Sequence, residues 1–181
     1  MKHFYIIYLL TLMLFIGCDE KKVEPKKMNI PAGEIPAQES WGSTIILSDS
    51  GATKAILTTA HLRQFTLTGE TLLDDSVHVD FFDRSQHKST TLTSKRGKID
   101  HQNRNLYAYQ NVVAKNDSGV VLLSEELVWN NVRQQITTDK FVTIITRAEK
   151  MQGYGFESDQ FLRNYTIHKI TYITNGSAST K

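Results

Sequence analysis

From about residue 42 to residue 175 the chain is a series of short β-branched and aromatic runs separated by polar turn residues. No stretch keeps the i, i+3, i+4 apolar spacing of an amphipathic helix, and the best helix candidate, Ser124–Trp129, is too short to be stable alone. This pattern predicts an all-β domain of antiparallel strands over residues 42–175. The predicted strands are Thr44–Leu47, Ala55–Thr59, Phe65–Thr68, Ser76–Phe82, Ser89–Thr93, Asn105–Tyr109, Val112–Ala114, Val120–Leu123, Gln135–Thr138, Phe141–Thr146, Tyr154–Glu157 and Tyr165–Ile173.

A weak internal repeat emerges when Thr59, Ser94 and Ser124 are superimposed. Leucine or glycine then aligns three residues later in each copy, and a valine aligns eighteen residues later. Stacked units of this kind bury a continuous core, which favours an elongated jelly roll or sandwich. Chance similarity among Val- and Thr-rich strands is the alternative. The aligned positions are Leu62, Gly97 and Leu127, followed by Val77, Val112 and Val142.

The N-terminus has the features of a bacterial lipoprotein signal peptide. Lys2 and His3 precede the apolar run Phe4–Ile16, which ends in Gly17 and Cys18. The run has the length of a secretory apolar region and is shorter than the roughly 20 residues of a membrane-spanning helix. We therefore predict a signal peptide over residues 1–17 and a lipid anchor on Cys18, with a short transmembrane anchor as the alternative.

The segment after the cysteine differs in composition from the rest of the chain. It contains all three prolines, several lysines and glutamates, and almost no periodic apolar pattern. Residues 18–41 are therefore predicted to be a lipidated N-terminus with a flexible tether, and residues 176–181 a disordered tail. Asp19 resembles the signal that retains enterobacterial lipoproteins in the inner membrane. We accordingly predict a periplasmic protein anchored through Cys18 to the inner membrane.

Charge and composition argue against several classes of function. The 21 Lys and Arg residues nearly balance the 19 Asp and Glu residues, for a net charge of +2, which does not suggest a nucleic-acid surface. The six histidines are scattered, and no HExxH, nucleophile elbow or CxxC motif is present. His78 and Asp80 share one face of a strand, where solvent-face decoration is favoured over metal ligation. We expect no metal, no cofactor and no enzymatic activity.

Two segments carry a resemblance to a known family. The first is GVVLLSEELVWN at residues 119–130, followed by ITTDKFVTI at 136–144; the second is MQGYGFESD at 151–159, followed by YTI at 165–167. Both resemble motifs of the LptC family, the periplasmic membrane-bound component of the lipopolysaccharide export machine. The resemblance covers roughly Ala55 to Ile173. Related modules of the same fold belong to the LptA and LptD branches.

The resemblance implies an open, twisted antiparallel jelly roll whose V-shaped groove holds the acyl chains of lipopolysaccharide. It implies a relay without bond-making. The lipid would come from an inner-membrane ATP-binding-cassette transporter complex and pass to a periplasmic LptA-like bridge protein through strand-edge pairing. Most LptC proteins carry a transmembrane helix instead of a lipidated cysteine, so this chain departs from them in its mode of anchoring.

A groove for acyl chains needs a row of apolar side chains on one face, and alternating strand positions supply it. The alternative is that these residues close on one another as an ordinary sandwich core. The predicted groove residues are Val77, Val79, Phe81, Ile99, Leu106, Val112, Leu122, Leu127, Trp129, Ile136, Val142 and Ile144.

The terminal strands carry few charges, which permits pairing with a neighbouring chain at each end of the sheet. The alternative is that Arg163, His168 and Lys169 protect the last strand from such pairing. The predicted partner-edge residues are Thr44, Ile46, Tyr165, Ile167 and Ile170.

Three functions from different classes are consistent with the sequence. The favoured one is a lipopolysaccharide-binding relay. The second is a closed β-sandwich lipoprotein that binds protein or sugar at the cell envelope, and the third is a small hydrolase with a site assembled from scattered residues. An open apolar groove would favour the first, a closed interior the second, and a cluster of titratable side chains the third.

Overall fold

A computed structural model describes residues 35–175. This part of the chain forms ten β-strands and no helix, which confirms the all-β prediction. The predicted signal peptide, Cys18, most of the tether and the C-terminal tail lie outside the described residues. The strands are β1 Gln38–Asp49, β2 Ala52–Phe65, β3 Glu70–Phe82, β4 Lys88–Ser94, β5 Arg96–Asp100, β6 Leu106–Asn116, β7 Val121–Asn130, β8 Gln135–Ile145, β9 Glu149–Asp159 and β10 Tyr165–Asn175.

All ten strands belong to one antiparallel sheet whose order nearly follows the chain, β1-β2-β3-β4-β6-β7-β8-β9-β10. β5 continues the line of β4, since both strands pair with β3 on one side and with β6 on the other. Among the strands of residues 35–175, β1 and β10 each pair on one side only and are the two edges of the sheet. The arrangement agrees with the predicted antiparallel jelly roll.

A line of irregular positions crosses the sheet from edge to edge and divides it into two parts. β3 turns at Asp75 and Ser76, with φ of 60° and 113°, and β6 turns at Gln110 and Asn111, with φ of 65° and 53°. β9 crosses the line at Gly155, whose φ of 73° suits a residue without a Cβ. Extra residues at such bulges bend each strand while its two ends keep the same face turned inward. We call this line the crease.

Side-chain hydroxyls support the crease at three equivalent positions. Thr59 donates to the carbonyl oxygens of His61 and Asp74, at 3.1 and 3.2 Å. Ser94 donates to the carbonyl oxygen of Arg96 at 2.8 Å. Ser124 donates to two carbonyl oxygens, at 3.0 and 3.1 Å. These are the three residues on which the sequence repeat is aligned, so the repeat reflects one strand-bending device used three times rather than chance similarity.

The crease folds the sheet so that its two parts pack face to face. Phe81 of one part and Trp129 of the other have ring centroids 5.2 Å apart, and both lie in a single buried core. We name the parts leaf A and leaf B. Leaf A comprises residues 43–49, 52–59, 77–82, 88–94, 112–116, 121–124, 141–145, 149–154 and 169–175; leaf B comprises residues 38–41, 61–65, 70–74, 96–100, 106–109, 126–130, 135–138, 156–159 and 165–168.

Several predicted boundaries differ from the structure. Of the predicted strand Phe65–Thr68, only Phe65 belongs to a strand, at the end of β2. Residues 66–69 form a turn, in which Leu67 is 72% exposed and Gly69, with φ of 66°, completes the reversal. The weak helix candidate Ser124–Trp129 lies within β7. β1 begins at Gln38, so residues 38–41, assigned to the tether, are part of the sheet. β5 is a strand that the pattern did not predict, since bulges interrupt the alternation on which the prediction rests.

Candidate functional site

The predicted groove residues all lie on the inner faces of the two leaves and form the centre of the buried core. Each of the twelve is between 0% and 7% exposed, from Phe81 at 0% to Ile99 at 7%. Seven come from leaf A and five from leaf B, so a ligand between the leaves would touch both. In this structure the two sets pack against each other. An acyl chain could therefore reach them only by separating the leaves.

The interior carries no charge among residues 35–175. The buried polar side chains of this region belong to Ser, Thr, Asn and Gln, and no Asp, Glu, Lys, Arg or His is buried. His78 and Asp80 lie on the outer face, 3.2 Å apart, where the His78 side chain is 47% exposed. No cluster of three or more metal-ligating side chains occurs in this described region. The interior is thus suited to hydrocarbon rather than to an ion or a titrating group.

The largest buried side chain of the interior has one polar contact. The indole Nε1 of Trp129 donates to Oε1 of Gln160 at 3.3 Å, and Gln160 is only 3% exposed. Gln160 lies in the turn after β9, where a polar residue is ordinarily solvated, so nothing in the sequence marks it as part of the interior. Its amide satisfies the one donor that burial of an indole leaves without water.

The turns at the ends of the two leaves away from the crease form two rows, and we call the region between these rows the mouth. The turns of leaf A are 50–51, 83–87, 117–120 and 146–148, and those of leaf B are 66–69, 101–105, 131–134 and 160–164. The rows touch where Asn116 donates to the carbonyl oxygens of Phe161 and Leu162, at 3.0 and 3.5 Å. Beside them Arg163 bonds Asp117 at 3.1 Å.

Two buried hydroxyls near this contact have no hydrogen-bond partner. Thr90 Oγ1, on β4, belongs to a residue that is 1% exposed and pairs with Asn116 across the β4–β6 ladder. Ser158 Oγ, on β9, belongs to a residue that is 2% exposed and directly precedes the 159–164 turn. Unpaired buried hydroxyls are uncommon in folded proteins, and each destabilises the state that contains it.

The predicted partner-edge residues lie on the two edge strands, with different surroundings. Thr44 and Ile46 of β1 are exposed on the outer face, Ile46 by 62%. On β10, Tyr165 and Ile167 pack against the core, whereas Ile170 is 50% exposed. Burial, reinforced by the negative charge of Glu149, raises the pKa of the Tyr165 phenol.

The edge-protection alternative fits Arg163 poorly. This residue lies in the turn before β10, where its guanidinium bonds Asp117 of the opposite leaf instead of covering the strand edge. His168 and Lys169 do belong to β10. Along this strand His168 is the last residue of leaf B, and Lys169 is the first residue of leaf A.

The sequence was also compared with known proteins. Residues 4–171 match a protein family described as lipopolysaccharide-assembly, LptC-related. The chain belongs to the LptC family. LptC proteins are non-enzymatic components of lipopolysaccharide transport in the cell envelope, and membership confirms the resemblance of the two motif segments. No curated protein matches the chain. Within residues 35–175, no helix has the length and apolar character needed to cross a membrane.

Proposed function

We propose that this LptC-family chain is a non-catalytic relay that holds the acyl chains of lipopolysaccharide between its two leaves. The observation that supports the proposal is the uncharged apolar interior, to which every strand from β2 to β9 contributes a buried side chain. Moving an acyl CH₂ from lipid into such an interior changes little free energy, since both surroundings are apolar. Near-neutral exchange is what a carrier that must also release its cargo needs.

The two unpaired edges support the partners that the proposal includes. The relay would receive the lipid from an inner-membrane ATP-binding-cassette transporter complex and deliver it to a periplasmic LptA-like bridge protein. Each partner would add a strand to β1 or to β10, whose outer N–H and C=O groups are available for β-augmentation. The acyl-modified Cys18 would hold the domain to the inner membrane, a role supported by the apolar run before it.

The tight packing of the interior favours a second candidate, a closed β-sandwich lipoprotein that binds protein or sugar on its outer surface. Trp41 is 71% exposed and stacks on His61 with centroids 5.2 Å apart, while His61 Nε2 lies 2.7 Å from a carboxylate oxygen of Glu39. An exposed indole beside a carboxylate is a suitable platform for a sugar ring. In this case the interior would never open.

Photo-crosslinking in cells separates the two candidates. A photoreactive residue at Val77, Trp129 or Val142 faces the interior, and one at His78 on the same strand as Val77 faces outward and serves as the control. The relay predicts lipopolysaccharide adducts at the three inward positions, dependent on ATP hydrolysis by the transporter, and none at His78. Folded, membrane-bound protein without any inward adduct would favour the closed lipoprotein instead.

A further inference from the structure

A lipid that moves along the interior from one edge of the sheet to the other places a physical demand on the mouth. Its acyl chains lie between the leaves while its sugar and phosphate headgroup stays in water, because burying the headgroup would be strongly unfavourable. The acyl chains and the headgroup of the lipid are therefore connected to each other through the mouth. The headgroup can travel only if the gap between the two rows of turns is continuous. Residues 116–117 and 161–163 join the two rows across the mouth. The first turn lies between the central strands β6 and β7, and the second lies between β9 and the edge strand β10.

Asn116 fixes the leaf A side of this contact. Its side-chain oxygen accepts from the backbone N–H of Val120 at 2.8 Å, and its side-chain nitrogen donates across the mouth to Phe161 and Leu162. The residue is 4% exposed, so its amide spans the mouth from a buried position. A single side chain therefore organises its own turn and joins it to the opposite leaf.

Asp159 fixes the leaf B side. Its carboxylate accepts from the backbone N–H groups of Phe161, Arg163 and Asn164, at 3.0 to 3.2 Å. Within the turn, Leu162 has φ of 52°, an unfavourable backbone conformation for a leucine, and yet it is 1% exposed. The turn thus holds a strained leucine in the core, directly beneath the carbonyl oxygens that Asn116 binds.

The closed contact has features of a state that is meant to open. Its ion pair is half in water, with side chains 52% and 44% exposed, so solvent screens it. The hydroxyls of Thr90 and Ser158 stay unpaired near it, although an ester, amide or hydroxyl group near the head of an acyl chain could bond them. Strain at Leu162 and unpaired hydroxyls both lower the stability of the closed form relative to an opened, loaded form.

We propose that Asn116 and Asp117, together with residues 161–163, form a latch across the mouth, and that the latch must open before acyl chains can occupy the interior. The proposal rests on the relay function, whose cargo supplies the reason for opening. It adds the place where the leaves part and the residues that hold them together.

The test uses the full chain with Trp41→Phe, which leaves Trp129 as the sole tryptophan of the two in the sequence. Asp117→Cys and Arg163→Cys are introduced together with Cys18→Ser, because Cys18 is the single cysteine of the sequence. A short bis(methanethiosulfonate) reagent joins the two new thiols through reducible disulfides with release of methanesulfinate, and each variant with one cysteine controls for labelling. The protein is then mixed with micelles of lipopolysaccharide that carries bromine on its acyl chains. Bromine quenches an indole only at contact range, so quenching of Trp129 reports acyl chains between the leaves.

The latch predicts that Trp129 is quenched in the unbridged protein, that bridging reduces quenching at least fivefold, and that reduction restores it. A matched control joins Thr53 to Gln86, which contact each other at 3.0 Å within leaf A and do not span the mouth. That bridge should leave quenching unchanged. Equal quenching with and without the Asp117–Arg163 bridge would overturn the latch and leave the relay standing. Absence of quenching in every form of folded protein would overturn the relay and the latch together.

Discussion

The middle of the sheet and its edges expose their inner faces very differently. Between β3 and β8 the inward side chains are almost fully buried, with Leu122, Leu127 and Ile144 at 0%. On β10, Ile170 and Ile173 are 50% and 51% exposed, although they pair with Gly153 and Met151 of the inner face. On β1, Ile45 and Leu47 are only partly buried. One continuous apolar face is therefore closed in its middle and accessible at its ends.

This difference separates two requirements of a relay. The edges combine half-exposed apolar side chains with unpaired backbone groups, so they can join a similar apolar surface on a partner without rearrangement. For the proposed relay the middle would have to open, and its packing and the proposed latch oppose opening. In this closed form the domain has edges that could pair with the proposed partners and an interior that is already filled by its own side chains. Contact with a partner or with lipid would then have to supply the free energy that parts the leaves.

The largest expected effect contrasts one residue from each region. Trp129→Ala should lower the free energy of unfolding by about 3–5 kcal/mol, because it leaves a large cavity against Phe81 and an unpaired amide on Gln160. Ile170→Ala should cost at most about 1.5 kcal/mol, since half of that side chain is already in water. Denaturant unfolding followed by circular dichroism measures both. Similar losses for the two variants would contradict the contrast between a packed middle and an accessible edge.

The sequence predicts which side chains of a strand face inward, because inward and outward positions alternate along it. Val77, Val79 and Phe81 share a face because strand side chains alternate, and all three are buried, as that rule predicts. The crease was not predicted. At Thr59, Ser94 and Ser124 one extra residue shifts the inward positions, so a long strand appears in the sequence as two short runs. For this reason the apolar pattern did not predict β5 or the first residues of β3 as strands.

The latch could not be predicted from sequence for a different reason. Asn116 begins the polar run Asn-Asp-Ser-Gly, a composition that favours the turn found between β6 and β7. Its contact with Phe161 and Leu162, however, joins a side chain to backbone carbonyls 45 and 46 positions away. Any residue has a carbonyl oxygen, so the partner leaves no compositional signal. Only the folding of one leaf over the other brings the two turns together.

A prediction of intermediate size tests how much the proposed latch contributes to holding the two leaves together. Asn116→Ala should lower the free energy of unfolding by about 1–3 kcal/mol, because it leaves the partly buried N–H of Val120 and the carbonyl oxygen of Phe161 without their side-chain partner. Asp117→Ala removes only a half-exposed ion pair and should cost no more than about 1 kcal/mol. Both variants should speed amide hydrogen exchange in the 159–164 turn. Unchanged exchange in that turn would mean that the packing of the leaves alone keeps the middle closed.

The smallest effect has the opposite sign and concerns the unpaired hydroxyl behind the latch. Thr90→Val keeps the shape of the side chain and removes an oxygen that has no partner, so it should raise the free energy of unfolding by about 1 kcal/mol. The neighbouring Thr91 is the matched control: its hydroxyl donates to Asp80 at 2.7 Å, and Thr91→Val should lower the stability by about 1 kcal/mol. Paired denaturant titrations of the two variants measure the difference. A loss of stability in Thr90→Val comparable to that in Thr91→Val would show that the Thr90 hydroxyl is already satisfied in the closed protein. If Thr90→Val stabilises the protein and also weakens quenching of Trp129 by lipid, the Thr90 hydroxyl has opposite effects on the two forms. It destabilises the closed form and contributes to lipid binding in the opened form.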